Sequence, residues 1–345
     1  MKALLSDFDF DLPQRCIAMH PASPRDHARL LHVPGQGDFA HCHVYDLPGL
    51  LRVGDVLVVN NSKVILARLY GKRGLAKVEF LLHRRLKEEV WEAFARPAKR
   101  LRVNDEVVFA EGFSARVATI KQDGLVDLSF NQIGEVFHAL LQRHGQVPLP
   151  PYIRRAQVSA DHTDYQTIYA RNEGSVAAPT AGLHFTPALL EKLKEKGVGW
   201  AQLTLHVGGG TFLPVREENI EAHIMHAEWG EVSSEAAATI NATREKGGRV
   251  VAVGTTSCRL LETASDENGR LKEWRGETQI FIRPGYRFKA VDALLTNFHL
   301  PRSTLFMLTC AFAGTDRLKA AYAEAIAKDY RFYSYGDACF LERNP

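Results

Sequence analysis

The sequence is poor in features that would announce a function. Its five cysteines, at 16, 42, 258, 310 and 339, are scattered, and no C-x-x-C pair occurs. That spacing excludes a zinc ribbon and a disulfide framework, and reduced thiols are expected. No apolar run approaches the roughly 20 residues of a membrane span. The opening MKALLSDFDFDLP meets Asp7, Asp9 and Asp11 before a signal-peptide core could form. The expectation is a cytoplasmic protein with no membrane contact. No G-x-S-x-G elbow is present, so serine-nucleophile chemistry has no support. There is also little net charge, +3 over 345 residues. Its distribution is uneven, however. Asn61 to Arg155 holds 17 Lys and Arg against 10 Asp and Glu, which fits either a polyanion contact or a solvated surface.

What is present divides into textures. Residues 1 to about 60 are mixed and include the strand-like GDVLVVNN. From about 62 to 131 come six short runs rich in Val, Ile and Phe, separated by Gly, Asn and Asp turns. With no helix among them they predict a small barrel. The segment GEVFHALLQRHG follows as a helix with Val136, Phe137, Leu140 and Leu141 on one face. VPLPPYIRR is then a stiff connector, because its prolines fix φ. Beyond 165, strands and helices alternate. GSVAAPT, WAQLTLHV, RVVAV and TQIFI are expected strands. Helices are expected after Thr186-Pro187, after Ser234 and after Ser303 as caps, with a last one over DRLKAAYAEAIAK. The fold class is therefore α/β: a barrel-like or mixed-sheet main domain, residues 1–61 and 150–345, interrupted by a small all-β barrel domain over 62–149.

In α/β folds ligands gather beyond the carboxyl ends of parallel strands. Those places carry hydroxyls, glycines and histidines here rather than apolar loop. Thr180 and Gly182 follow SVAAP, and Gly208, Gly209, Gly210 and Thr211 follow LTLHV. Thr255, Thr256 and Ser257 follow VVAV, and Asn297 and His299 lie in TNFHLPR. These are the expected substrate-binding residues. The triple glycine is neither a dinucleotide fingerprint, since Leu213 takes the third glycine's place, nor a P-loop. It would let main-chain N–H groups approach a ligand, or else form a tight turn or bulge. The three hydroxyls of GTTS at a helix start suit an anion. His184, His206, His226 and Glu228 are the acid/base candidates. His223 and His226 are three apart, not four, with no Glu between them, so no metal is expected.

Taken together, SVAAPTAGLHFT, LTLHVGGGTFLPV, HIMHAEW, VVAVGTTSCRLLE, VDALLTNFHLPRSTLFML and YRFYSYGDA resemble the S-adenosylmethionine:tRNA ribosyltransferase-isomerases of the queuosine pathway. So do FDFDLPQRCIA, GDVLVVNNSKVILARL and LPPYI. The resemblance runs collinearly from about Phe8 to Asn344. Leu66 and Cys258 depart from residues common in the family, at positions without chemical groups. The resemblance implies an α/β domain interrupted by a barrel, S-adenosylmethionine as co-substrate, and no metal. It implies transfer and isomerisation of its ribosyl moiety onto 7-aminomethyl-7-deazaguanine at the tRNA wobble position. Epoxyqueuosine-tRNA, adenine and methionine would result. A monomer is expected, with tRNA as partner and Lys99, Arg100 and Arg102 as phosphate contacts. An S-adenosylmethionine-dependent RNA methyltransferase and a non-catalytic RNA-binding barrel are the competing readings.

Overall fold

The runs Val56–Asn60 and Val250–Val253 are buried at every position, the pattern of strands covered on both faces. They lie side by side at the centre of the sheet in the computed structural model, which describes residues 4–209, 215 and 217–343. Among the described residues nine strands form this sheet. Its order is Trp274–Thr278, Glu228–Val232, Gly199–Leu205, Val56–Asn60, Val250–Val253, Ala293–Asn297, Ala338–Glu342, Arg29–Val33, Ala40–His43. The block from Gly199–Leu205 to Ala293–Asn297 is wholly parallel. Ala338–Glu342 runs against it on one side and Glu228–Val232 on the other.

Alternation along each strand supplies two apolar layers. Val56, Val58, Val250 and Ala252 face Ile240, Leu260, Leu261 and the Phe306 region. Leu57, Val59, Val251 and Val253 face Phe185, Leu189 and Leu193. Burial of such a side chain is worth about 1.5–3 kcal/mol, so both faces are firmly covered. Thr186 caps the helix Pro187–Glu195 by accepting from Leu189 N, with Pro187 at the first turn as expected. Ser303 caps Thr304–Ala313 in the same way. The cap of Ser234–Glu245 is Ser233, not Ser234: its hydroxyl accepts from Ala236 N.

The six expected short strands, Arg68–Arg73, Ala76–Arg85, Val90–Arg96, Glu106–Ala110, Phe113–Ile120 and Leu125–Phe130, close into an antiparallel barrel. The helix Gly134–His144 packs Phe137 on Trp91 and Phe130. Val136, expected on that buried face, is instead 54% exposed, because the apolar stripe narrows to Phe137 and Leu141. The chain leaves the main sheet through Ser62–Val64 and returns through Asn172–Ser175. These two segments pair in parallel with each other.

Two expected strands move. Only Gly174 and Ser175 of GSVAAPT lie in a strand, and the next residues bend toward Val207, whose carbonyl accepts from Val176 and Ala177. The strand expected at TQIFI is Trp274–Thr278, ending where Ile280 and Phe281 turn inward to the core. No helix among the described residues is long and apolar enough to cross a membrane.

Candidate active site

A cavity of about 620 Å³ opens beyond the carboxyl ends of the parallel strands, within the usual range for small-molecule sites. Segments distant in sequence make its wall. Ala177–Ala181 comes from the return of the chain, Gly254, Thr255, Thr256 and Arg259 from a helix start, and Thr296–Leu305 from the last parallel strand. Glu228, Tyr152, Arg154, Tyr165, Tyr333 and Ser334 add to it, beside the apolar Pro151, Val207 and Val215. Of the expected residues, Thr180, Glu228, Thr255, Thr256, Asn297 and His299 line this space.

Asn297 ends a strand buried at all five positions. Its Oδ1 accepts from Thr180 Oγ1 at 2.9 Å, and its Nδ2 donates to His184 Nε2 at 3.1 Å. His184 therefore stands behind the cavity wall and fixes the amide. Burial pushes its pKa down to about 4, so the imidazole is neutral and accepts from Asn297. His299, also forced down by burial, to about 3, hydrogen-bonds Thr296 Oγ1 at 2.9 Å. Its backbone N–H donates to Tyr322 OH.

The helix Gly254–Ala264 starts without a side-chain cap, its N-cap residue being Val253. Its first N–H groups thus have no side-chain acceptor among the described residues. Gly254 turns the chain at φ +88°, a value an L side chain resists. Thr256 Oγ1 is buried without a hydrogen-bond partner among the described residues. Ser257 is wholly buried and does not reach the cavity.

Glu228 is 6% exposed and pairs through Oε2 with Arg259 Nη1, while its Oε1 accepts from Gly208 N at 3.3 Å. Arg259, 5% exposed, was not singled out from sequence. The signal was available, since it follows Thr256 by three residues and Thr255 by four and so shares their helix face. Tyr152, Arg154, Tyr165, Arg302, Tyr333 and Ser334 were missed too. They lie in loops whose convergence no local pattern records.

The other expected residues lie elsewhere. His206 stacks on Trp229, ring centroids 5.2 Å apart, beside Gly174, and burial lowers its pKa. His226 is exposed and meets His83 of the barrel edge-on at 5.8 Å. Gly208 and Gly209 face the barrel: a Cβ on Gly208 would come within 2.7 Å of the His83 ring, and one on Gly209 within 3.3 Å of Phe94. Their smallness is thus used for close packing of the two parts of the molecule. Gly182 is likewise a packing glycine, under Tyr169 OH. Gly210 and Thr211 lie outside the described residues. Lys99, Arg100 and Arg102 are exposed on the barrel, at and just after the turn Ala98–Arg100.

A parallel-centred sheet with a cavity at its strand ends, joined to an antiparallel barrel, defines a two-part α/β protein with the architecture of an enzyme. Comparison with known proteins makes this specific. The profile of the family described as "Queuosine biosynthesis protein" matches residues 5–341. The S-adenosylmethionine:tRNA ribosyltransferase-isomerase of Gluconacetobacter diazotrophicus is 57% identical over 349 aligned positions, covering 100% of this chain and 98% of that protein. Its namesake in Rhodospirillum rubrum is 55% identical, covering 97% and 96%. A crystal structure of S-adenosylmethionine tRNA ribosyltransferase from Thermotoga maritima, 38% identical, matches with a TM-score of 0.57 over 97% of this chain and 99% of that one. The chain belongs to the S-adenosylmethionine:tRNA ribosyltransferase-isomerase family of queuosine biosynthesis. The α/β fold with a barrel, and the resemblance seen in the sequence motifs, agree with this membership.

Proposed function

We propose that the protein transfers and isomerises the ribosyl moiety of S-adenosylmethionine onto 7-aminomethyl-7-deazaguanine at the wobble position of tRNA. The products are epoxyqueuosine-tRNA, adenine and methionine. The observation that carries this reading is the cavity itself. It is large enough for the co-substrate and lined by a carboxylate, a neutral imidazole, an amide and uncapped helix N–H groups.

The chemistry asks for a base, an acid and an anion seat. The sulfonium acidifies the ribosyl 5′ protons, so a carboxylate suffices as base. Glu228 is the acid/base candidate whose side chain reaches the cavity, and it takes that proton. His299, on the same wall, faces the departing adenine. His184 acts through Asn297 as a positioning residue. Thr255, Thr256 and the start of their helix receive the carboxylate end of the co-substrate. The wobble base leaves its stack to enter, as bases acted on by enzymes do. Lys99, Arg100 and Arg102 hold phosphates of the anticodon arm. The protein acts as a cytoplasmic monomer without a metal.

The test is incubation of the pure protein with S-adenosylmethionine and tRNA bearing the aminomethyl base. Free adenine together with a mass gain on the tRNA is the expected result. Transfer of a labelled methyl group, or tRNA binding indifferent to the co-substrate, would reject the proposal.

A further inference from the structure

Arg259 is an unusual residue to bury. A guanidinium removed from water is costly unless its N–H groups find acceptors. Two of its nitrogens are accounted for: Nη1 donates to Glu228, and Nε reaches the Ile280 carbonyl at 3.4 Å. Nη2 is buried and has no partner among the described residues. Arg259 is also part of the cavity wall. Thr256 Oγ1, one turn earlier on the same helix, is another buried donor of that wall without a partner among the described residues, as is Tyr165 OH across the cavity lining. The helix that carries Thr256 and Arg259 begins with uncapped N–H groups. Three kinds of donor thus belong to one helix of the cavity wall.

We propose that Arg259 Nη2 and Thr256 Oγ1 form the seat for the α-carboxylate of the co-substrate's methionine end, and that Arg259 makes the site selective for a carboxylate-bearing sulfonium. This rests on the functional reading above and extends it to a residue that reading did not use. Arg presents separate edges of one planar group. Here Nη1 is tied to Glu228 and Nε to the Ile280 carbonyl, so Nη2 is held in position before the ligand arrives. Such preorganisation lowers the cost of binding. Lysine has no second edge to offer. Glu228 and Arg259 also cancel each other's charge, so the seat attracts a carboxylate chiefly by directed hydrogen bonds.

The test uses S-adenosylmethionine and its decarboxylated analogue, which lacks only the carboxylate. Their dissociation constants are measured by calorimetry on the whole protein, and adenine release is followed separately with the modified tRNA. Wild-type protein should prefer S-adenosylmethionine by about 10- to 100-fold, the range for a charge-assisted hydrogen bond. Arg259→Lys and Thr256→Val should each weaken S-adenosylmethionine and leave the analogue nearly unchanged. Thr256→Val keeps the Glu228 pair intact, so it reports even where Arg259→Lys folds poorly. Equal binding of both compounds by wild type, no binding of either, or equal losses for both in the variants would overturn the seat. So would an Arg259→Lys effect confined to the KM for tRNA, which would make the anion an RNA phosphate. Selective binding without adenine release would leave the seat standing and sink the reaction instead.

Discussion

Acidification from pH 7.5 to 5.0 should destabilise this protein sharply, and buried histidines are the cause. His83, His184 and His299 are 7%, 4% and 8% exposed. Burial holds the first two near a pKa of about 4 and the third near about 3, against 6.5 in the open chain. The folded state therefore keeps all three neutral in a window where the unfolded chain binds their protons. Stability is complete above 6.5 and falls as pH drops toward the folded values. Each histidine contributes a slope of about 1.4 kcal/mol per pH unit. Between 6.5 and 5.0 the three together remove up to about 6 kcal/mol, comparable to the whole stability of many domains. Asp55, Asp161 and Glu92 are held low instead, and their losses begin only below 3.8 for the aspartates and 4.5 for the glutamate. The window thus isolates histidine. Urea midpoints and slopes measured at several pH values give the free energy directly. The His184→Gln variant should cut the dependence on pH by about one proton, whatever its effect on absolute stability. An unfolding free energy constant to within about 1 kcal/mol from pH 7.5 to 5.0 would refute the reasoning.

Other consequences concern the site and the contact between the two parts. Glu228→Gln keeps shape and polarity but removes the base, so adenine release at saturating substrates should fall by about 10²–10⁴-fold; a loss under tenfold would remove Glu228 from that role. Gly208→Ala pushes a methyl group against the His83 ring and should cost about 1–3 kcal/mol in urea unfolding. Gly49→Ala, with nothing within 4 Å of the new atom, is the matched control and should be neutral or slightly stabilising. Replacing Lys99, Arg100 and Arg102 together by alanine should raise the KM for tRNA. It should also flatten the logarithmic salt dependence by about 2, as three lost phosphate contacts require; an unaltered slope would place the RNA elsewhere.

The barrel could be read from the chain because its signal is local: each strand is a short β-branched and aromatic run closed by its own turn. The same holds for Val250–Val253 and for the helix beginning at Pro187, where pattern and cap agree. Arg29–Val33, Ala40–His43, Glu228–Val232 and Ala338–Glu342 were not anticipated. Sheet pairing gives these segments their form, more than their composition does. Ala40–His43, for instance, is a half-exposed edge whose sequence AHCH holds no β-branched or large apolar residue. At the site, Thr180, Thr256, Asn297 and His299 were recoverable from the rule that strand ends bind. Gly208 and Gly209 follow a strand end too, but the neighbour that needs them small is a barrel residue more than a hundred positions away. Arg259 escaped because an arginine on a helix is ordinarily solvated, and its spacing from Thr255 and Thr256 is the one local hint to the contrary.

The two crossings between sheet and barrel, Ser62–Val64 and Asn172–Ser175, pair with each other. The barrel's outgoing and returning ends are therefore already side by side, and its His83 and Phe94 rest on Gly208 and Gly209. Loop closure across an insertion grows only slowly with its length, and here the closure is made by the paired crossings themselves. Lengthening or trimming the far rim of the barrel leaves Asn60 and Leu205 where they are. The far rim of the barrel and the small-molecule chamber can thus be altered separately in this architecture.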